Sequence, residues 1–120
     1  MNQRVEALQD PRIRQAFLYA LDRKALINAF WDKNGVIKNS LFFHSWYADP
    51  AWDDLYPYNP DKARELLAEA GWDSDYEIES ITYYTQQRHQ DFGAAVQQQL
   101  SEVGMKFKWV SLENAAWEQR

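Results

Sequence analysis

Residues 56–72 read Y-P-Y-N-P-D-K-A-R-E-L-L-A-E-A-G-W, and this stretch predicts a short helix that is capped at both ends. Asn59 is a preferred N-cap residue, and Pro60 follows at the first helical position, where its missing N–H costs nothing. Gly71 supplies the left-handed residue that ends the helix, and Trp72 can fold back onto the last turn. The apolar residues between the caps recur at helical spacing and form one stripe: Ala63, Leu66, Leu67 and Ala70.

A second stretch, residues 10–27, begins with the same device. Asp10 provides a cap and Pro11 opens a helix. Asp22 can cap a second helical segment, so the pattern leaves open whether this region is one bent helix or two helices. Asn34–Gly35 is a turn signal and ends it. The apolar residues of the first segment keep a period of about 3.6 residues: Ile13, Ala16, Phe17, Ala20 and Leu21.

Both stretches resemble the family 5 extracellular solute-binding proteins, the oligopeptide, dipeptide and nickel receptors of ABC importers. Residues 56–72 match a signature of the family's C-terminal lobe, and residues 10–27 (D-P-R-I-R-Q-A-F-L-Y-A-L-D-R-K-A-L-I) match a second block. A weaker match is V-Q-Q-Q-L-S-E-V-G-M-K-F at residues 96–107, where Phe107 departs from the family pattern. The resemblance covers a minor part of a full member, so residues 1–120 are expected to form a single partial domain.

The remaining pattern predicts a strand, a helix and a strand. Residues 77–85 are rich in β-branched and aromatic residues, and their imperfect alternation favours a central strand that is covered on both faces. Residues 86–89 are interpreted as a connection, and residues 92–103 as an amphipathic helix closed by Gly104. Residues 105–109 alternate as a half-buried or edge strand. Such a βαβ unit has parallel strands and a right-handed crossover.

The expected fold class is therefore α/β, with a small mixed sheet, a βαβ unit and flanking helices. By the resemblance, this is part of the C-terminal lobe of a two-lobed periplasmic binding protein. At 120 residues the chain is long enough to bury a core of its own.

Composition excludes several classes of function. The net charge of −5 argues against a nucleic-acid surface, which needs clustered Lys and Arg. No apolar run approaches the length that spans a bilayer. Zero cysteines exclude disulfides and thiolate metal sites. The N-terminus lacks the regions of a signal peptide, so in a receptor the secretion signal is expected upstream.

The best candidate for ligand contact is an aromatic loop, residues 39–52, which has no regular period. The resemblance places loops of the C-terminal lobe on the ligand cleft, where aromatic walls exclude water. Trp46 and Tyr47 are the foremost candidates, followed by Asn39 and His44. The alternative is that these rings pack the loop onto the helices, because most buried aromatic residues are structural.

Metal binding and catalysis find little support in the sequence. His44 and His89 are the only histidines and lie on different elements, and no spacing of His, Asp and Glu makes a ligand set. Adjacent Asp53 and Asp54 are interpreted as a solvated turn, because acid–base catalysis needs two groups around one bond. We expect a binding protein without cofactor or metal rather than an enzyme. Four charged residues are expected to form structural ion pairs on the first helices: Arg12, Arg14, Asp22 and Arg23.

By the resemblance, the parent protein captures peptides or similar small solutes outside the cytoplasm, in the periplasm or extracellularly, and delivers them to an ABC permease. Its mechanism is hinge closure around the ligand. Two alternatives stay open. In the first alternative, the chain is the ligand-sensing domain of a cytoplasmic transcriptional regulator. In the second, it is an isolated fragment without binding activity. Apolar surface left without neighbours is expected to cause weak self-association.

Overall fold

A computed structural model describes residues 1–2, 4–32, 34–35 and 49–112, without the side chains of residues 52 and 54. Within these residues the helices are α1 (Pro11–Tyr19), α2 (Arg23–Phe30), α3 (Pro60–Ala70) and α4 (Gln87–Glu102), and the strands are β1 (Glu77–Thr82) and β2 (Lys106–Ser111). Two 3-10 turns cover Glu6–Leu8 and Pro50–Asp54. No helix in the described part of the chain is long and apolar enough to cross a membrane.

The predicted N-caps of three helices are confirmed. The Asp10 carboxylate accepts a hydrogen bond from the Arg12 amide at 2.9 Å, and the Asn59 side chain accepts one from the Lys62 amide at 3.0 Å. The Asp22 carboxylate accepts one from the Ala25 amide at 3.0 Å. These bonds satisfy amides of the first turn that have no partner inside a helix. Because Asp22 caps a new helix, residues 11–30 form two helices rather than one bent helix.

Glycine ends two helices through a left-handed residue, as predicted. Gly71 has φ of 68° and Gly104 has φ of 88°. The amide after each glycine then reaches back along the helix: the Trp72 amide donates to the Leu67 carbonyl at 2.9 Å, and the Met105 amide donates to the Leu100 carbonyl at 3.0 Å. These bonds close the last turn of α3 and of α4.

The sheet confirms the predicted βαβ unit. β1 and β2 are parallel, with Glu77 opposite Lys106 and Thr82 opposite Ser111, and α4 connects them. Ile78 and Phe107 are buried on the inner face of the sheet. The expectation that both faces of β1 are covered is wrong within the described residues, because Glu77 is exposed on the outer face. The predicted strand also ends three residues earlier than expected, at Thr82 instead of residue 85.

The core joins the helices to the inner face of the sheet. α1 packs against α3, and α4 packs against β2. Three alanines of the α1–α3 region have no exposed surface: Ala16, Ala20 and Ala63. Small side chains at such positions let two helix backbones approach closely, in the way that small residues act at tight helix crossings. On the α4 side, Leu100 and Met105 are the largest fully buried side chains.

Arginines tie these elements together mainly through carbonyl groups. Arg12 Nη1 donates to the Glu69 carbonyl near the end of α3 at 3.0 Å, and Arg64 Nη2 donates to the Glu102 carbonyl at the end of α4 at 3.1 Å. Arg14 Nη1 donates to the Leu8 carbonyl at 2.8 Å. The predicted ion pairing is confirmed for Arg12, which pairs with the Asp10 carboxylate. Arg14 donates to backbone carbonyl groups.

The Arg12–Asp10 pair predicts a defined acid sensitivity. The hydrogen bond from Arg12 holds the pKa of Asp10 below its usual value of 3.8. A carboxyl group whose pKa is lower in the folded state contributes stability above its unfolded pKa and loses it as the pH falls through the folded value. We therefore expect Asp10→Asn, which keeps a capping side chain, to lessen the fall in the free energy of unfolding between about pH 7 and about pH 3.

Urea unfolding of both proteins at the two pH values measures this difference. Glu102→Gln, which neutralises an exposed carboxylate at the far end of α4, serves as the matched control for the loss of one negative charge. An equal fall in the parent chain and in Asp10→Asn would show that Asp10 titrates identically in the folded and unfolded states.

Candidate functional site

The four residues that the sequence nominated for ligand contact, Asn39, His44, Trp46 and Tyr47, lie outside the described residues. Their role therefore stays a prediction. The structure describes the end of the aromatic loop from residue 49 onward, where the 3-10 turn Pro50–Asp54 leads into the stretch before α3.

This end of the loop is held against α1 and α2. Tyr56 has φ of 55°, a conformation that a bulky residue adopts only when its surroundings hold it. Arg23 Nη2 donates to the Tyr56 carbonyl at 2.9 Å, and the rings of Tyr56 and Tyr19 meet edge to face at 5.5 Å between centroids. The Asn59 amide donates to the Tyr19 carbonyl at 2.8 Å. The two most specific blocks of the sequence therefore contact each other directly.

A second group of candidate residues lies where β1 ends and α4 begins. Tyr83 and Tyr84 follow β1 directly, and His89 lies in the first turns of α4. Trp31, which follows α2, completes the group. We call these four residues the strand-end cluster. The carboxyl end of parallel strands, next to the start of the connecting helix, is where open α/β sheets generally bind ligands.

The backbone of the strand-end cluster is fixed by hydrogen bonds. Ser111 Oγ, at the end of β2, donates to the Tyr84 carbonyl at 2.7 Å. The Tyr84 amide donates to Thr82 Oγ1 at 3.2 Å, and the Leu112 amide donates to the Thr82 carbonyl at 2.8 Å. The two strands thus position the tyrosines, while both tyrosine side chains stay 43% exposed. Exposed rings on a fixed backbone are suited to contact a ligand without a large ordering cost.

His89 joins the tyrosines to the helices. Its imidazole stacks on the Tyr84 ring at 4.7 Å with an interplanar angle of 13°, and it meets the edge of Trp31 at 6.4 Å. Trp31 in turn contacts Phe92 of α4 at 5.0 Å. His89 Nδ1 is buried and has no hydrogen-bond partner among the described residues. A buried polar atom without a partner is uncommon and marks a position where a ligand or water can bind.

The polar groups of the cluster point to a partly polar ligand. Tyr83 donates a hydrogen bond to the Tyr84 hydroxyl at 3.1 Å, and this bond raises the pKa of Tyr83, so the phenol stays neutral at physiological pH. Gln86, the N-cap residue of α4, makes no capping bond through its side chain. A helix N-terminus favours negative charge through its amides and its dipole. The arrangement offers aromatic faces, hydroxyl groups and a positive helix end to a small molecule.

Metal binding at the cluster has no support in the geometry. Among the residues that the structure describes, no three His, Asp or Glu side chains are grouped to hold an ion. His89 contributes its ring to aromatic stacking, with its Nδ1 atom buried. The sequence interpretation of residues 86–89 as a connection is corrected here, because α4 begins at Gln87 and includes His89.

Comparison with known proteins decides the family. The profile described as "Bacterial extracellular solute-binding proteins, family 5 Middle" matches residues 1–120. The chain belongs to the family 5 extracellular solute-binding proteins. The resemblance of the two sequence blocks, and the α/β fold expected from it, are therefore confirmed.

Individual family 5 proteins resemble the chain over nearly its whole length. A Brucella ovis protein named for peptide binding in an ABC transporter is 36% identical over 107 residues, which are 87% of this chain and 20% of that protein. Heme-binding protein A of Haemophilus influenzae is 33% identical over 115 residues, 91% of this chain and 21% of its own length. The chain thus spans about a fifth of these relatives.

A solved family 5 structure shares the fold. The oligopeptide-binding protein AppA of Bacillus subtilis, solved in complex with a nonapeptide, superposes with a TM-score of 0.79 at 26% identity. The match covers 98% of this chain and 26% of AppA. These relatives are all named as ligand-binding proteins.

Sequence reasoning missed the strand-end cluster. It weighed His89 only as a metal ligand and placed Tyr83 and Tyr84 inside a strand. A usable signal was present, since the sequence already predicted a βαβ unit, and ligands bind at the carboxyl end of its strands. This rule predicts that the residues between β1 and α4 contact a ligand.

Proposed function

We propose that this chain is part of a solute-binding protein that captures peptides or similar small solutes for uptake by an ABC permease. The observation that carries the proposal is the strand-end cluster, in which exposed tyrosines lie around the start of α4 beside a buried His89 Nδ1 that has no hydrogen-bond partner in the part of the chain that the structure describes. Two relatives are named for the binding of peptides and of heme, which supports a peptide or another small solute as the ligand.

The chain would provide part of one wall of the ligand cleft. Its contacts to ligand would come from the strand-end cluster and from the aromatic loop, with Asn39, His44, Trp46 and Tyr47 as the loop's candidates. The aromatic side chains would exclude water from a peptide backbone and strengthen its hydrogen bonds. The second wall would close over the ligand by a hinge movement, without covalent chemistry. The extracellular family description supports a location in the periplasm or outside the cell.

Isothermal titration of the chain with a mixed pool of short peptides tests the proposal, with tryptophan fluorescence followed in parallel. We expect weak saturable binding that falls by about fivefold in Tyr84→Ala, because one stacked ring contributes on the order of 1 kcal/mol. Tyr58→Ala is the matched control, since Tyr58 is similarly exposed, at 46%, but lies before α3. Trp46→Ala and Tyr47→Ala test the loop in the same way.

Two results would count against the proposal. Absence of heat and of any fluorescence change would mean that this portion of the protein has no binding site of its own. Equal losses in Tyr84→Ala and Tyr58→Ala would place the binding elsewhere on the chain.

A further inference from the structure

The turn after α2 carries an asparagine that is followed directly by a glycine, Asn34 and Gly35. The Asn34 amide donates to the Trp31 carbonyl at 2.7 Å, which closes the turn through the backbone. Both residues are exposed. Within the described part of the chain, neither the Asn34 side chain nor the Gly35 amide has a hydrogen-bond partner. No bond among these residues therefore keeps the side chain away from the amide that follows it.

Packing against α2 keeps position 35 without a side chain. A Cβ atom on Gly35 would lie 2.9 Å from Ile27 Cγ2 and 3.2 Å from Ile27 Cγ1. Carbon atoms pack best at about 3.5 Å or more, so a larger residue would displace Ile27 or the turn. Glycine is also the residue that least obstructs attack by its own amide nitrogen, because it has no Cβ and a freely rotating backbone. The packing of the turn thus gives Asn34 its most reactive neighbour.

The structure engages the other asparagines that it describes. The side chains of Asn2 and Asn59 accept hydrogen bonds from amides two and three residues later. Asn59 also precedes Pro60, which has no N–H group and cannot attack. Asn28 is exposed, but the amide after it lies inside α2, where amides donate to carbonyls one turn earlier. Among the asparagines in the described ranges, Asn34 has both its side chain and the following amide unengaged.

We propose that Asn34 is a site of spontaneous deamidation, in which the Gly35 amide nitrogen bonds to the side-chain carbonyl carbon of Asn34. The side-chain nitrogen leaves as ammonia and takes the proton of the attacking amide, so the product is a cyclic succinimide. Water then opens the ring. Cleavage of the new bond gives aspartate on the original backbone, whereas cleavage of the old peptide bond gives isoaspartate, whose backbone runs through the former side chain. The reaction needs water alone as a co-reactant.

The modification changes the region that follows α2 in two ways. It adds one negative charge to a chain of net charge −5, two positions after Asp32 and close to a helix C-terminus, where the dipole disfavours anions. Isoaspartate also lengthens the backbone before Gly35, which would move Gly35 away from Ile27. Trp31, whose carbonyl closes the turn, belongs to the strand-end cluster. The deamidation is independent of the ligand proposed above, and only an effect on ligand binding through Trp31 rests on that proposed function.

Peptide mapping by mass spectrometry tests the proposal on the 120-residue chain after incubation at mildly alkaline pH. Ala29→Gly is the matched variant, because it creates a second asparagine–glycine pair at two exposed positions inside α2. In the folded variant we expect Asn34 to convert about fivefold faster than Asn28, because a helical hydrogen bond must break before the amide after Asn28 can attack. In urea, where the helix is lost, the two pairs should convert at similar rates.

A second variant tests the site without any change to α2. Asn34→Gln keeps an amide side chain but lengthens it by one carbon, so attack by the Gly35 nitrogen would have to form a larger and less readily closed ring. We expect the acidic product to disappear from the peptide that contains position 34. In the parent chain the same peptide should yield both aspartate and isoaspartate, which chromatography separates although their masses are equal.

Three outcomes would overturn the proposal. An unchanged Asn34 in the folded chain, with conversion in urea, would show that the turn protects this residue. Equal rates at Asn34 and Asn28 in folded Ala29→Gly would show that the structure does not select the site. Aspartate without isoaspartate at position 34 would exclude the cyclic intermediate and with it the attack by Gly35.

Discussion

Gly93→Ala is expected to lower the free energy of unfolding by about 2 kcal/mol, although alanine is the better helix former by about 1 kcal/mol. Gly93 lies inside α4 and is buried beneath the indole of Trp109. A Cβ atom at this position would lie 2.3 Å from Trp109 Cγ and 2.5 Å from Cδ2. These are atoms of the ring itself, and the ring is held between Phe92 at 5.9 Å and Phe107 at 6.5 Å between centroids. The methyl group must therefore displace the indole or separate α4 from β2.

Urea denaturation measures this effect, and the neighbouring residue supplies the control. Ala94 is exposed on the same helix, so Ala94→Gly should cost about 1 kcal/mol through helix propensity alone. Helix propensity by itself predicts that Gly93→Ala raises the free energy of unfolding and that Ala94→Gly lowers it. The structure predicts that both substitutions lower it. In a Trp109→Leu background the penalty of Gly93→Ala should shrink, because the clashing ring is gone. A Gly93→Ala protein more stable than the parent would contradict the packing of Trp109 on α4.

Ala63→Leu is expected to cost about 3 kcal/mol, near the upper end of the usual penalty for overpacking. Ala63 has no exposed surface on α3, and Ala16 and Ala20 have none on or just after α1. The two helices are also joined at both ends, by the bond from Arg12 to the Glu69 carbonyl and by the bond from the Asn59 amide to the Tyr19 carbonyl. Because these bonds fix the helix separation, a larger side chain between the helices has little room to be accommodated.

The same substitution at an exposed position of the same helix is the control. Ala68 faces solvent on α3, and Ala68→Leu should change the free energy of unfolding by no more than about 0.5 kcal/mol. Thermal or urea unfolding of the two variants gives the comparison directly. Equal stability of Ala63→Leu and Ala68→Leu would mean that α1 and α3 can separate without cost, and the account of the α1–α3 contact would be wrong.

The sequence by itself determined where α1 and α3 begin and where α3 and α4 end. Asp10–Pro11 and Asn59–Pro60 predicted two helix starts, and Gly71 and Gly104 predicted two helix ends. These features could be predicted because a cap is a hydrogen bond between residues a few positions apart, so its donor and acceptor are both visible in a short window. The family was also predicted from short stretches of sequence, the blocks at residues 10–27 and 56–72, and the family profile that matches residues 1–120 confirms it.

The candidate site was only partly predictable, because its residues are far apart in the sequence. The tertiary structure alone brought His89 onto Tyr84 and beside Trp31, a residue 58 positions earlier in the chain. No periodicity encodes such a contact, because it depends on how α2 and α4 lie against each other. The expectation that both faces of β1 are covered was wrong for a similar reason. An imperfect alternation does not show which face Glu77 occupies until β2 is paired in register.

Gly93 shows the division most clearly. In the sequence it is a residue of low helix propensity inside a predicted helix, and no neighbouring residue explains its presence. In the structure it is the position that lets Trp109 lie on α4, because a side chain there would overlap the indole. Local hydrogen bonding determined the secondary-structure elements of this protein. The exclusion of overlapping atoms between distant residues determined how those elements pack and which side chains they leave exposed.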